Sequence, residues 1–292
     1  MLGKLLKYDL KALGRVLLPV QLGALVVGLM ATFVLTATVR FAGDEYGYQG
    51  STGADMLNSS IAGFSILAVF LLSIVLFSSY LVTLLLIARH FYTNLMGDEG
   101  YLSFTLPVSI HEHLLSKVIS GFIWSIINML VILISLGLLM VFGTAYSGLV
   151  NKDVLQILSE GMQWLFANDL GIVVIEYPIL VVVGTIDGLL LVFASIVAGS
   201  LISAKHKVAA AVGAYFAANM VLYTINSMTQ GALMGLMGMD PTFMFSAIEP
   251  SIREFLAFYQ VTILISLAIS ILTIVATYAF SHYALSNRLN LE

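Results

Sequence analysis

The chain has 292 residues, of which 60% are hydrophobic and 10% charged, with a formal net charge of −4 at pH 7. Soluble domains carry about 25% charged residues, so this composition indicates a polytopic membrane protein and excludes an ordinary soluble fold. The acidic balance argues against a nucleic-acid partner. Because the chain has no cysteine, disulfides, thiolate metal sites and cysteine nucleophiles are excluded.

Residues 1–15 are predicted to form an amphipathic helix that lies flat on the membrane. At 100° per residue its basic side chains share one narrow arc, and its leucines occupy the opposite one. This pattern is typical of an interfacial helix on an anionic leaflet, which makes membrane lipid a predicted partner. The alternative is that the basic residues only flank the first span. They are Lys4, Lys7, Lys11 and Arg15.

Six apolar segments of membrane-spanning length follow, within one transmembrane domain that occupies residues 1–292. With the N-terminus inside, most of the 12 lysines and arginines flank the inner ends of these segments. This bias predicts a multi-pass, all-α protein of the cell membrane with both termini in the cytoplasm. The predicted spans are 16–39, 61–88, 114–142, 171–202, 208–228 and 258–280.

Two of the predicted outer connections differ in character. Residues 41–58 are rich in Gly, Ser and Asp and are expected to form a loop. Residues 229–257 are apolar but interrupted by Pro241 and Pro250. We expect this second segment to enter the outer side of the membrane and return, since irregular backbone there must be covered by protein.

The longest polar connection on the inner side covers residues 89–117, RHFYTNLMGDEGYLSFTLPVSIHEHLLSK. The helix of the second span is predicted to stop at Gly97. A short helix lying along the membrane surface is then expected, because Asp98 and Glu99 favour the positive end of a helix and Pro107 terminates it.

The third span is predicted to start near Ile110. Ser109 and Glu112 have the S-x-x-E spacing of a capping box, which is typical of a helix N-terminus. The whole connection is interpreted as a docking surface for a partner that transmits force. The alternative is an elbow that packs on its own helix bundle.

The basic N-terminus, the six spans, this connection, a tight turn between spans four and five and the interrupted outer segment together resemble the type-2 ABC export permeases. The run FYTNLMGDEGYLSFTLPVSIHEHLLSK is similar to the same segment in Gram-positive members. In that family the segment forms a coupling helix that binds a groove of a separate ATPase. The resemblance assigns this role to Asp98, Glu99, Gly100, Tyr101, Leu102, Phe104 and Leu106.

The resemblance also implies partners and cofactors. Permeases of this family pair as homodimers or heterodimers around a central path, so an ABC-type ATPase and a second permease copy or paralogue are expected partners. ATP and Mg would bind the ATPase and no cofactor this chain, which has no G-x-x-x-x-G-K-[ST] phosphate loop.

Two carboxylates lie within the fourth predicted span. Asp187 is near its middle, and Glu176, beside Pro178, lies three turns nearer the outer face, about 16 Å away along the axis. Gly184 and Gly188 flank Asp187 in a small-xxx-small pattern that allows another helix to approach. Asp187, Glu176, Gly184 and Gly188 are therefore candidates for the transport path or the dimer seam; a structural, hydrogen-bonded carboxyl is the alternative for Asp187.

Other polar residues are assigned to structure. Asn128, Asn219 and Asn226 are expected to form hydrogen bonds between helices. His111 and His113 diverge by about 200° on a helix, so a shared metal ion is not expected. No nucleophile, metal or acid–base set converges, and the chain is not expected to be an enzyme.

The favoured function is the permease subunit of an ATP-driven exporter for a hydrophobic or amphipathic cargo. By resemblance that cargo is a peptide, including antimicrobial peptides, a drug or a lipid. The first alternative is an ion-coupled secondary carrier or channel that uses Asp187. An intramembrane enzyme and a regulatory or immunity subunit that sequesters a ligand are further alternatives.

Overall fold

A computed structural model describes residues 2–43, 52–97, 108–146, 154–167, 170–203, 205–236 and 252–287. Throughout these ranges the chain is helical and contains no strand, as the composition predicts. A three-residue 3-10 helix, Leu170–Ile172, precedes the fifth α-helix. The α-helices are α1 (Leu2–Gly43), α2 (Thr52–Leu95), α3 (Ile110–Tyr146), α4 (Val154–Ala167), α5 (Val173–Ile202), α6 (Lys207–Leu236) and α7 (Ile252–Asn287).

Six of these helices, α1, α2, α3, α5, α6 and α7, are long and apolar enough to cross a bilayer. A span needs about 20 apolar residues, whereas α4 has 14 residues. The predicted all-α, six-span class is therefore confirmed at the level of helix length and composition.

The first helix is longer than its predicted span. It runs from Leu2 to Gly43 without interruption and contains Pro19, so residues 1–15 do not form a separate element. At 1.5 Å per residue its length is about 63 Å, about twice the thickness of a hydrocarbon core. The prediction of a flat-lying N-terminal segment is not tested by this geometry.

The outer connections are shorter than predicted. α2 begins at Thr52, so part of the expected loop at 41–58 is helical, which agrees with the helix propensity of its Ala, Met and Leu residues. Likewise α6 continues to Leu236 and α7 begins at Ile252, so both ends of the segment 229–257 belong to helices. Its two prolines lie outside the described residues, and so does any re-entrant backbone.

The described helices belong to two compact units. α5, α6 and α7 lie in unit 1 together with the end of α2 and the start of α3. Unit 2 holds most of α1 and α2 and the remainder of α3. Unit 1 comprises Met1–Leu6, Ala88–Phe122 and Leu165–Glu292, and unit 2 comprises Lys7–Ile87 and Ile123–Trp164.

Unit 2 is held together by close helix contacts and by hydrogen bonds between helices. A Cβ atom on Gly28 of α1 would lie 2.6 Å from Oγ of Ser135 on α3, so only glycine permits this approach. The amide of Asn128 on α3 donates to the Ser79 hydroxyl of α2 at 2.7 Å, in a buried position. The predicted interhelical role of Asn128 is confirmed.

Unit 1 is built on α5, which packs against both α6 and α7. The second half of α5 is almost continuously buried, from Leu189 to Val197. Close to its end, a Cβ on Gly199 would lie 2.4 Å from the backbone nitrogen of Ala211 on α6. The absence of a side chain at position 199 is what brings α5 and α6 together.

Candidate functional site

The midpoints of α5, α6 and α7 surround a cleft of ≈ 280 Å³ in unit 1. Since each helix has the length of a membrane span, a midpoint corresponds to the centre of a bilayer. Seven polar residues and two glycines share the wall with three apolar side chains. The lining residues are Gly184, Asp187, Gly188, Leu191, Tyr215, Asn219, Leu222, Tyr223, Asn226, Ile269, Ser270 and Thr273.

The geometry of the cleft depends on a tight hairpin between α5 and α6. Ser203 ends α5 with its backbone N–H donated to the Gly199 carbonyl at 3.2 Å. Its hydroxyl accepts the backbone N–H of His206 at 3.1 Å, one residue before α6 begins. The predicted tight turn between these spans is confirmed, and it sets Asp187 opposite the middle of α6.

Asp187 is the one charged side chain among the described residues that line the cleft. It is half-buried, and Ser270 of α7 lies in hydrogen-bonding reach of its carboxyl group. The carboxyl Oδ1 atom is buried and has no hydrogen-bond partner in the described part of the chain. A polar atom in this state is costly at membrane depth unless a ligand, water or partner satisfies it.

Two other polar groups at the cleft donate a hydrogen within their own helices. The Asn219 amide nitrogen donates to the Tyr215 carbonyl at 2.9 Å, so hydrogen bonding of Asn219 between helices stays a prediction. The Thr273 hydroxyl donates to the Ile269 carbonyl at 2.9 Å. Both side chains therefore keep an oxygen acceptor for anything that enters the cleft, and Asn219 keeps one amide hydrogen as well.

The two glycines flanking Asp187 both line the cleft. A Cβ on Gly184 or on Gly188 would meet no atom within 4 Å, so no helix of the described chain approaches them closely. Their effect within the chain is to leave space beside the carboxylate. Their assignment to a dimer seam stays a prediction.

Glu176 does not line this cleft. It lies in the first turn of α5, two residues before Pro178, and its Oε2 atom is buried without a hydrogen-bond partner among the described residues. The separation of the two carboxylates along α5 agrees with the prediction. Only Asp187 meets α6 and α7 at the cleft.

The ends of the long connection after α2 form as predicted. The backbone N–H groups of Met96 and Gly97 both donate to the Tyr92 carbonyl, at 2.8 and 2.9 Å. On the other side, the Ser109 N–H donates to Glu112 Oε2 and the Glu112 N–H donates to Ser109 Oγ, both at 3.3 Å. The helix stop near Gly97 and the capping box are confirmed.

The residues assigned to ATPase coupling lie between these two ends, outside the described residues. The last turns of α2, which precede these residues in the chain, are held against α5. Phe91 of α2 stacks on Phe193 of α5 with ring centroids 4.1 Å apart and an interplanar angle of 7°. Neither ring is exposed to solvent. The undescribed coupling residues are Asp98, Glu99, Gly100, Tyr101, Leu102, Phe104 and Leu106.

The two histidines of the His-Glu-His run point to different surroundings. His111 Nδ1 lies 2.6 Å from the Tyr278 hydroxyl of α7, and its ring is 4.1 Å from that of His282. His113 is instead buried. The predicted divergence is confirmed, and within the described ranges no group of three or more His, Cys, Asp or Glu side chains has the arrangement of a metal site.

Sequence reasoning did not identify the α6 and α7 residues of the cleft. A signal for them exists, since Tyr215, Asn219, Leu222 and Asn226 repeat at the four-three-four spacing of one helix face. Polar side chains repeating on one face of an apolar span indicate a cavity or a partner. No comparable sequence pattern indicated Lys117, which is buried and has its Nζ 3.2 Å from Nε2 of His90.

Comparison with family models, with curated proteins and with solved structures finds no match to this chain.

Proposed function

We propose that this chain is the permease subunit of an ATP-driven exporter that moves a hydrophobic or amphipathic cargo out of the cell. A separate ABC-type ATPase would bind residues 98–107 and hydrolyse ATP with Mg. The observation that carries the proposal is that, among six helices of spanning length, the connection from α2 to α3 has both of its described ends fixed by hydrogen bonds. Those ends are the Gly97 stop and the Ser109–Glu112 capping box.

The contacts at the end of α2 supply a route from the coupling segment to the cleft. Force applied to residues 98–107 acts first on the last turns of α2. The Phe91–Phe193 stack transmits it to α5, because two fully buried rings in face-to-face contact cannot move independently in a close-packed interior. Phe193 lies within two turns of Asp187 on the same helix, so the proposed movement of α5 changes the shape of the cleft.

The remaining features of the proposed architecture follow the resemblance. The basic side chains of α1 are exposed, as contact with an anionic cytoplasmic leaflet requires. In this arrangement both termini are cytoplasmic, the segment 229–257 contains the re-entrant part on the outer side, and two permease copies or paralogues enclose the path. The exposed basic residues are Lys4, Lys7, Lys11 and Arg15.

The proposal is tested first by co-purification of an ATPase and then by measuring whether ATP hydrolysis is coupled to export. An ABC-type ATPase encoded beside this chain is expected to co-purify with it in mild detergent. Tyr101→Ala combined with Leu102→Ala is expected to abolish cargo-stimulated ATP hydrolysis and export together, because both side chains belong to the proposed ATPase contact.

The matched control is Tyr177→Ala combined with Ile179→Ala. These side chains are an exposed aromatic and an exposed aliphatic residue near the start of α5, away from the connection after α2. Coupling is expected to survive in this control. Coupled hydrolysis that persists in the Tyr101/Leu102 variant would refute the assigned docking segment.

One observation favours a second candidate, an ion-coupled carrier. The buried Asp187 Oδ1 atom without a partner sits in a polar cleft, which is the type of position used by titrating carboxylates in carriers. Export that continues in ATP-depleted cells but stops when the proton gradient is collapsed would favour this candidate over the exporter.

A further inference from the structure

The Asp187 carboxylate and the side-chain oxygens of Asn219 and Thr273 bring hydrogen-bond acceptors to the cleft. One amide hydrogen of Asn219 and the hydroxyl hydrogen of Thr273 are committed to carbonyls of their own helices. Ser270 has a carboxylate as its neighbour, which accepts hydrogen bonds and cannot donate them when ionised. A ligand that pairs with these acceptors brings N–H or O–H groups of its own.

The charge of Asp187 narrows the chemical class of the ligand further. Asp187 is half-buried at the midpoint of three spanning helices, and the described lining contains no lysine, arginine or histidine to neutralise it. In a medium of low polarity an unpaired carboxylate favours a bound cation. Tyr215 and Tyr223, two turns apart on α6, also line the cleft, and aromatic rings attract organic cations.

The size of the cleft argues for an organic group and against a bare metal ion. Its ≈ 280 Å³ approaches the lower limit of about 300 Å³ for small-molecule sites. A calcium-type ion is held mainly by carboxylates within a set of six to eight oxygen ligands, whereas the described lining brings one carboxylate beside neutral oxygens. The apolar side chains of Leu191, Leu222 and Ile269 suit the hydrocarbon portion of an amphiphile.

We propose that the cleft binds the ammonium group of a cationic amphiphile, with Asp187 as the counter-ion and the Asn219 carbonyl and Tyr215 ring as neighbours. This inference rests on the proposed function and defines its cargo class as amphipathic molecules with a primary amine. The amine donates hydrogen bonds to Asp187 and Asn219, and the alkyl portion contacts the leucine and isoleucine side chains.

Binding is tested on the purified full-length chain, without any ATPase, in nanodiscs of zwitterionic phosphatidylcholine. The probe is tritiated hexylamine, measured by scintillation proximity with unlabelled hexylamine, 1-hexanol and sodium chloride as competitors. We expect hexylamine to compete, and neither hexanol nor sodium at matched concentrations to do so. Displacement by hexanol at equal potency would show that charge is not recognised, and displacement by sodium beyond a matched choline control would assign the cleft to an inorganic cation; either result overturns the proposal.

The variants isolate the carboxylate. Asp187→Asn is expected to weaken hexylamine binding at least about ten-fold, because a hydrogen bond to a charged group contributes about 1.5–3 kcal/mol. Asp187→Glu keeps the charge and is expected to retain binding within about three-fold of the unaltered chain. Glu160→Gln removes an exposed carboxylate of α4 that does not line the cleft and is expected to bind normally.

Folding is monitored by size-exclusion chromatography and by the unfolding temperature. If Asp187→Asn does not fold, Ser270→Ala replaces it, with an expected loss of several-fold in affinity. Unchanged binding in a folded Asp187→Asn or Ser270→Ala protein overturns the proposal. The binding assay contains no ATPase, so it tests the cleft independently of the proposed function. Amine binding by a chain that does not co-purify with an ATPase would refute the exporter and support the amine site. Co-purification of an ATPase with a chain that does not bind the amine would support the exporter and refute the amine site.

Discussion

Two asparagines show how differently the two units use polar side chains. Asn128 in unit 2 is fully buried and donates across helices to Ser79. Asn219 in unit 1 donates to the Tyr215 carbonyl of its own helix and lines the Asp187 cleft. The first residue joins helices and the second maintains an open polar surface, although both occur in apolar spans of similar composition.

The difference lies in the direction of hydrogen bonding. In unit 2 the Gln21 amide also donates between helices, to the Trp124 carbonyl at 3.4 Å, and Gly28 brings α1 against Ser135. At the cleft, Asn219 and Thr273 each donate a hydrogen to a carbonyl of their own helix while lining the cavity. Interhelical bonds stabilise packing, whereas self-satisfied donors leave acceptors for a ligand.

The largest effect is expected from closing the space between α5 and α6. Gly199→Val places a Cβ 2.4 Å from the backbone nitrogen of Ala211, and since backbone cannot yield as a side chain can, we expect a loss of about 3 kcal/mol in folding free energy. The unfolding temperature in detergent measures it. Gly213→Val, at a site with no atom within 4 Å, controls for the β-branched side chain; equal stability of the two variants would contradict the close approach.

The next effect concerns transport. Asp187→Asn is expected to reduce cargo export about ten-fold or more while leaving the folded protein intact, because it removes a charged partner worth about 1.5–3 kcal/mol. Export from cells or proteoliposomes is normalised to the amount of protein in the membrane. Glu160→Gln serves as the matched carboxylate control. Export at the unaltered rate would assign Asp187 to structure.

The two asparagines give a reciprocal prediction of moderate size. Asn128→Leu is expected to lower stability by about 1 kcal/mol, the scale of a hydrogen bond between membrane helices, and to leave hexylamine binding unchanged. Asn219→Leu is expected to weaken that binding several-fold with little change in unfolding temperature. The same effect of both substitutions on both measurements would abolish the distinction between the units.

The smallest effect is expected away from the cleft and from Asn128, at the start of α3. Ser109→Ala removes one half of the capping box and should cost about 0.5–1 kcal/mol. Amide hydrogen exchange is expected to accelerate in the first turn of α3 only. Ser286→Ala, which removes an exposed hydroxyl near the end of α7, should have no measurable effect, and exchange that accelerates along all of α3 after Ser109→Ala would argue against a local cap.

Composition and local pattern were sufficient for the number of spanning helices, the stop near Gly97 and the Ser109–Glu112 cap. Each depends on the properties of one short stretch: twenty apolar residues exclude most alternatives, and a capping box involves positions three residues apart. The helix ends near Gly43, Thr52 and Leu236 were not predictable in this way, because glycine and serine tracts are compatible with both loop and helix termini.

The cleft required the tertiary structure. Asp187 is visible in the sequence as a charge within a span, but Tyr215, Asn219, Ser270 and Thr273 join it only because α5, α6 and α7 meet at their midpoints. The direction of each hydrogen bond is likewise a property of the packed helices, since Asn128 and Asn219 are the same residue type and both occur in apolar stretches of sequence. Long-range contacts, and not residue identity, decide which polar group joins two helices and which faces a ligand.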